Sequence, residues 1–146
     1  MSGQFPHFII VDDSQLDCFI AEKIIQNTLA FSSVRTFTNA LEAYETIKNS
    51  SIFATGIITI IVLDIQMPLM NGFQFVEAFE KLPEEVKSNY AIFLFSSSIN
   101  ENDKNRLENY PSIRQFYSKP ISKDTVNRMI SLINGSSQDD PLRALP

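Results

Sequence analysis

The sequence contains no tryptophan, one histidine, one cysteine and only four glycines in 146 residues. With Cys18 alone, no intramolecular disulfide can form, which fits a reducing, cytoplasmic setting. With His7 alone, neither a multi-histidine metal site nor one built around a second histidine can be assembled. Its place just before the first strand makes it an expected surface residue. The glycines make neither G-x-G-x-x-G nor G-x-x-x-x-G-K, so the usual nucleotide-binding loops are excluded. Basic residues are few: 12 Lys and Arg stand against 17 Asp and Glu, giving a formal net charge of −5. Such a balance argues against non-specific nucleic-acid binding, which needs clustered Lys and Arg. The longest apolar run, Ile57–Ile65, is interrupted by Thr59 and Asp64 and is too short to span a bilayer. The segment Met1–His7 is polar and lacks the basic and apolar regions of a signal peptide. A soluble cytoplasmic protein with no membrane contact is expected.

What is present is enough apolar material (44% of residues) for an ordinary core in one domain. Apolar runs alternate with amphipathic stretches, the pattern of an α/β domain with a parallel sheet. Strands are predicted at Phe8–Val11, Val34–Phe37, Ile57–Leu63, Ala91–Phe95 and Arg114–Tyr117. The third, β-branched and continuous, is expected at the centre. Ser14 caps a predicted helix to about Leu29, with Leu16, Ile20 and Ile24 repeating and Phe19 beside them. Asn39 caps a second to about Lys48, burying Leu41, Tyr44 and Ile47. Phe73–Leu82 forms a third, with Phe75, Val76 and Phe79 inward. The segment 83–90 reads as a charged, partly helical connection, and 100–109 as a weakly amphipathic helix. Ser122 caps a last helix to Ile133, burying Val126, Met129, Ile130 and Ile133. After Gly135 the polar tail, with two prolines, is expected to be mobile, so the domain is taken as residues 7–134 with a tail at 135–146.

Right-handed crossovers place every strand's C-terminal end on one edge of the sheet, where such folds bind ligands. Asp12 and Asp13 follow the first strand and Asp64 ends the third. Ser96 and Ser97 end the fourth, and Lys119 follows the fifth, before Pro120. Three clustered carboxylates repel one another unless a cation is present. Mg2+ takes oxygen ligands, and a carboxylate beside it can act as nucleophile toward phosphorus, giving an acyl phosphate. Lys119 can supply a point charge to phosphoryl oxygens, and a serine hydroxyl a hydrogen bond.

The fragments IIVDDS (9–14), VLDIQMPLMNG (62–72), FLFSSS (93–98) and FYSKP (116–120) resemble the receiver domain of two-component response regulators. The resemblance runs from about Phe8 to Ile133. It implies a flavodoxin-like, three-layer (βα)5 sandwich with a parallel sheet of order 2-1-3-4-5. It implies phosphorylation at Asp64 by a sensor histidine kinase or a histidine phosphotransfer protein. Mg2+, or Mn2+ in its place, would be held by Asp13, by Asp12 mainly through water, by Asp64, and by the Gln66 backbone carbonyl. Ser96 would be the switch hydroxyl, Ser97 a backbone N–H donor to phosphate, and Lys119 a phosphate contact. Phe116 would be the switch aromatic, and Lys119–Pro120 a cis peptide bond. Gln66 and Ser98 would tune phosphoryl lifetime. Ser96 stands where the family often has threonine, and Phe116 where it often has tyrosine; the 83–90 connection is long for the family.

This implies a switch that catalyses only its own phosphorylation and slow dephosphorylation, not a conventional enzyme. With about a dozen residues after the last helix, a stand-alone regulator is expected, signalling by protein contact as a monomer or phosphorylation-promoted homodimer. The face made by the 100–109 helix, the fifth strand and the last helix would meet the partner. Two alternatives fit the residues less well. A haloacid dehalogenase-type hydrolase wants D-x-D-x-T, but the run here is Asp64-Ile65-Gln66-Met67-Pro68. A phosphate-independent, degenerate receiver is disfavoured by the intact set Asp12, Asp13, Asp64, Ser96 and Lys119.

Overall fold

The computed structural model describes residues 6–49, 56–98 and 100–135. The expected mobile tail at 136–146 lies outside the described residues. Five strands, β1 (His7–Val11), β2 (Val34–Phe37), β3 (Thr59–Asp64), β4 (Tyr90–Ser96) and β5 (Ile113–Ser118), form one parallel sheet of order β2-β1-β3-β4-β5. The helices are α1 (Gln15–Thr28), α2 (Ala40–Asn49), α3 (Gly72–Glu80), α4 (Glu84–Lys87), α5 (Glu101–Arg106) and α6 (Lys123–Ile133). A 3-10 turn at Leu107–Asn109 extends α5. This is the flavodoxin-like arrangement, with helices on both faces of the sheet. The polar 100–109 segment is thus less α-helical than expected, and the 83–90 connection carries only the single turn α4.

Strand alternation divides the core in two. Ile9, Val11, Ile61, Leu63, Ile92 and Leu94 face α2 and α3. Phe8, Ile10, Ile60, Val62, Phe93 and Phe95 face α1 and α6. Every residue of β3 is buried, as a central strand covered on both faces requires. Phenylalanine does the filling that tryptophan does elsewhere: Phe8, Phe73, Phe75, Phe79, Phe93, Phe95 and Phe116 are all fully buried. Each contributes about 1.5–3 kcal/mol by leaving water.

The helix starts follow the predicted caps. Ser14 Oγ accepts from the Asp17 N–H at 3.1 Å, Asn39 Oδ1 from Glu42 at 2.9 Å, and Ser122 Oγ from Thr125 at 3.1 Å. Asn71 and Gln74 add a reciprocal capping box at α3.

The inward face of α1 differs from the reading of its large residues. Leu16, Phe19 and Ile20 are exposed, and Cys18, Ala21 and Ile25 are buried. The buried set also repeats at i, i+3 and i+7, and its small members let the helix lie close to the sheet. On α2, Leu41 is likewise exposed, while Ala40, Ala43 and Ile47 are buried. His7 lies within β1 and is partly buried, not on the open surface, and burial lowers its pKa.

Candidate functional site

The chemistry gathers at the C-terminal edge of the sheet. β1 ends at Val11, so Asp12 and Asp13 project from the turn into α1. Asp12 is buried, and its Oδ1 accepts from the Ser14 N–H at 3.0 Å, which fixes the turn. Asp13 is exposed. Asp64, the last residue of β3, is buried. Oxygens of Asp12, Asp13 and Asp64 all lie within 4.8 Å of one another. Ligands on opposite sides of one Mg2+ stand roughly 4.2 Å apart, twice the ~2.1 Å bond. At most one pair of the three can be opposite and adjacent ligands stand only about 3.0 Å apart, so a shared cation would draw the carboxylates closer by up to about 1–2 Å, a shift the exposed Asp13 side chain can make.

Lys119 enters from the loop after β5. Its backbone N–H donates to the Ser96 carbonyl at 2.8 Å, and its peptide bond to Pro120 is cis. The ammonium donates to Asp12 Oδ2 at 2.7 Å and to Asp17 Oδ2 at 3.0 Å, and lies 3.3 Å from Asp64 Oδ1. Burial alone would lower the Lys119 pKa. The hydrogen bonds to Asp12 and Asp17, with the charges of Asp12 and Asp64, outweigh that and hold the ammonium above the usual lysine value.

Asp64 moves the other way from an ordinary aspartate. Burial, then the neighbouring Asp12 charge, push its carboxyl up to about 6, against the opposing pull of Lys119 and of the Gln66 backbone N–H. Three carboxylates facing one ammonium leave an excess of negative charge, which is the condition that draws a divalent cation. Gln66 itself is exposed.

Ser96 ends β4, buried, and its hydroxyl is engaged within its own loop. It donates to the Ser98 carbonyl at 2.8 Å and accepts from the Ser98 N–H at 3.1 Å. Ser97 is exposed and lines a cavity of about 320 Å³ together with Asp12, Asp17, Ile20, Asp64 and Lys119. Phe116 is buried and meets Phe73 edge-on at 6.2 Å between ring centroids; the Arg106 guanidinium lies over the Phe73 ring, 3.8 Å from its centroid.

The structure thus brings Asp12, Asp13, Asp64 and Lys119 together, with Ser97 on the cavity wall and Ser96 turned into its loop. Asp17 was missed by the sequence reading. Its one sequence signal is a place in the first turn of a helix that begins at the functional edge, a place acids also take for the helix dipole. Cys18 is buried beside the site. Burial and the Asp12 charge raise its thiol to about 11, and its Sγ donates to the Asp12 carbonyl at 3.3 Å.

Among the described residues, no helix is long and apolar enough to cross a membrane. No curated protein matches the chain. Among solved structures, a response regulator receiver protein from Dyadobacter fermentans is 34% identical, with 88% of this chain and 97% of that chain covered and a TM-score of 0.77. A two-component response regulator from Cytophaga hutchinsonii is 21% identical over 90% and 98% of the two chains, with a TM-score of 0.79. The chemotaxis protein CheY4 of Vibrio cholerae is 19% identical over 89% and 99%, with a TM-score of 0.71; these last two speak for the fold alone. The sequence profile of the response regulator receiver domain matches residues 8–131, and the chain belongs to that family.

Proposed function

We propose that this protein is a phosphoacceptor switch in a phosphorelay, with Asp64 as the residue that takes the phosphoryl group. The observation that carries the reading is the placement of Asp64. It is a buried carboxylate at the end of the central strand, 3.3 Å from Lys119 and grouped with Asp12 and Asp13. A donor of phosphohistidine type, on a sensor kinase or a phosphotransfer protein, supplies the group. An Asp64 oxygen attacks phosphorus, the P–N bond breaks, and its electron pair leaves with the donor imidazole. The product is an acyl phosphate. Later attack by water on phosphorus breaks the P–O bond, restores the carboxylate and releases inorganic phosphate.

Asp12, Asp13 and Asp64, with the Gln66 carbonyl, would hold Mg2+, for which Mn2+ can substitute. A cation held there supplies positive charge to the phosphoryl oxygens as they approach. Lys119, on Asp12 and Asp64 already, supplies a second positive charge. The Ser97 N–H contributes a hydrogen bond, and Gln66 and Ser98 flank the site and set phosphoryl lifetime. Ser96 leaves its bond to Ser98 for a phosphoryl oxygen, and the space it vacates lets Phe116 move. The surface formed by α5, β5 and α6 then changes, and a downstream protein or a second copy reads it. The donor approaches the cavity from the side of α1, where exposed Leu16, Phe19 and Ile20 offer an apolar rest.

The test is acid-labile labelling from acetyl phosphate with Mg2+. The wild-type protein gains one phosphoryl group and Asp64→Asn gains none. Label retained by Asp64→Asn would refute the assignment. Asp13→Ala should lose Mg2+-dependent labelling, and unchanged labelling would remove Asp13 from the ligand set.

A further inference from the structure

The Lys119 ammonium has more partners than phosphoryl transfer requires. It has three N–H donors and faces three carboxylates, at 2.7 Å from Asp12, 3.0 Å from Asp17 and 3.3 Å from Asp64. A phosphoryl group on Asp64 turns that carboxylate into an acyl phosphate, whose oxygens then compete with Asp12 and Asp17 for the ammonium. The two are not equally free to go. The Asp12 side chain is 8% exposed, and without the lysine it would be a buried charge that only a bound cation could compensate. Asp17 is 42% exposed, so water can replace the lysine at once.

The position of Asp17 is fixed by the fold. Its backbone N–H donates to the capping Ser14 Oγ, which sets the first turn of α1. Asp17 lines the cavity together with Ile20 and Ala21 of α1, and Ser97 and Pro120 line it too.

We propose that Asp17 is a positioning residue that parks Lys119 in the unphosphorylated protein and yields it to the phosphoryl group. This rests on Asp64 being the phosphoacceptor. Asp17 and the phosphoryl oxygens compete for one ammonium, so the Asp17 carboxylate shortens the life of the phosphorylated state and weakens binding of phosphoryl mimics.

The experiment compares wild type, Asp17→Asn, Lys119→Met and the double variant. Each is tested for decay of acid-labile phosphate and for Mg2+-dependent binding of trifluoroberyllate. With no tryptophan in the sequence, binding is read by calorimetry. Asp17→Asn keeps the backbone N–H that Ser14 caps, so its fold is expected to be intact, which circular dichroism checks. Phosphate decay in Asp17→Asn should slow, and trifluoroberyllate binding tighten, by about two- to fivefold, the range for a partly exposed ion pair. In the Lys119→Met background the same substitution should change neither quantity. Asp17→Glu, which restores the charge, should return both toward wild type. Unchanged or faster decay in Asp17→Asn would overturn the proposal. So would an effect that persists without Lys119, since Asp17 would then act by its field alone. If wild type itself takes neither phosphate nor trifluoroberyllate, the phosphoacceptor reading fails, and this proposal with it.

Discussion

Gly72 is pressed against the backbone of Asp64. A Cβ at Gly72 would lie 2.8 Å from the Asp64 carbonyl oxygen and 2.9 Å from the Ile65 Cα. The Gly72 N–H also donates to the Ile65 carbonyl at 2.8 Å, which ties the start of α3 to the end of β3. Neither clashing atom belongs to a flexible side chain, so the backbone itself must move to admit a methyl group. Gly72→Ala is expected to cost about 1–3 kcal/mol, as overpacking does. Because the shift falls on Asp64, labelling by acetyl phosphate should slow at least about tenfold, as misplacement of a reacting group implies. Denaturant unfolding and labelling kinetics measure the two effects.

The raised carboxyl of Asp64 gives stability a pH dependence of definite sign. Its value is 3.8 when unperturbed and about 6 in the fold. Between these values the native state holds the proton more tightly than the unfolded chain. Stability from this group is therefore full below the lower value and is lost as pH rises through about 6. Without divalent cations at pH 7.5, Asp64→Asn should be more stable than wild type by about 1–3 kcal/mol. The gap should close on acidification. Saturating Mg2+ should stabilise the wild type and not the variant, reversing their order in thermal melts.

Ser96 closes a small ring with Ser98 through two hydrogen bonds, of 2.8 and 3.1 Å. Ser96→Ala should cost about 0.5–1.5 kcal/mol, since the exposed Ser98 can turn to water. Its larger effect should be on signalling. The variant should still be labelled, but phosphorylation should no longer shift the NMR resonances of Phe116 and its neighbour Phe73.

Much of this is legible in the sequence. β3 announced itself as central because a strand covered on both faces can carry apolar residues at every position. The caps Ser14, Asn39 and Ser122 marked helix starts through a local hydrogen bond that needs no tertiary information. Asp12, Asp13, Asp64 and Lys119 could be brought to one edge by handedness alone. The face of α1 could not be read in this way. Leu16, Ile20 and Ile24 have helical spacing, but so do Cys18, Ala21 and Ile25, and periodicity cannot rank two stripes. Closeness of helix to sheet decided for the smaller residues. Asp17 escaped for a related reason. An acid in a helix's first turn is common for its effect on the helix dipole, and only the position of Lys119 distinguishes this one. The inward turn of the Ser96 hydroxyl depends on the path of the loop to Ser98, which no local pattern specifies.

The Lys119–Asp12 ion pair joins residues 107 positions apart. It forms only when the first strand and the loop after the last strand occupy the same sheet, with β3 and β4 already between them. Long-range parallel pairings of this kind are slow to form. A chain emerging from the ribosome therefore carries its acidic pair and its acceptor well before the lysine that balances them. Until β5 docks, the carboxylates face one another without their cation. Competence to take a phosphoryl group is thus a property of the finished sheet, and labelling of Asp64 would report completed folding as well as an incoming signal.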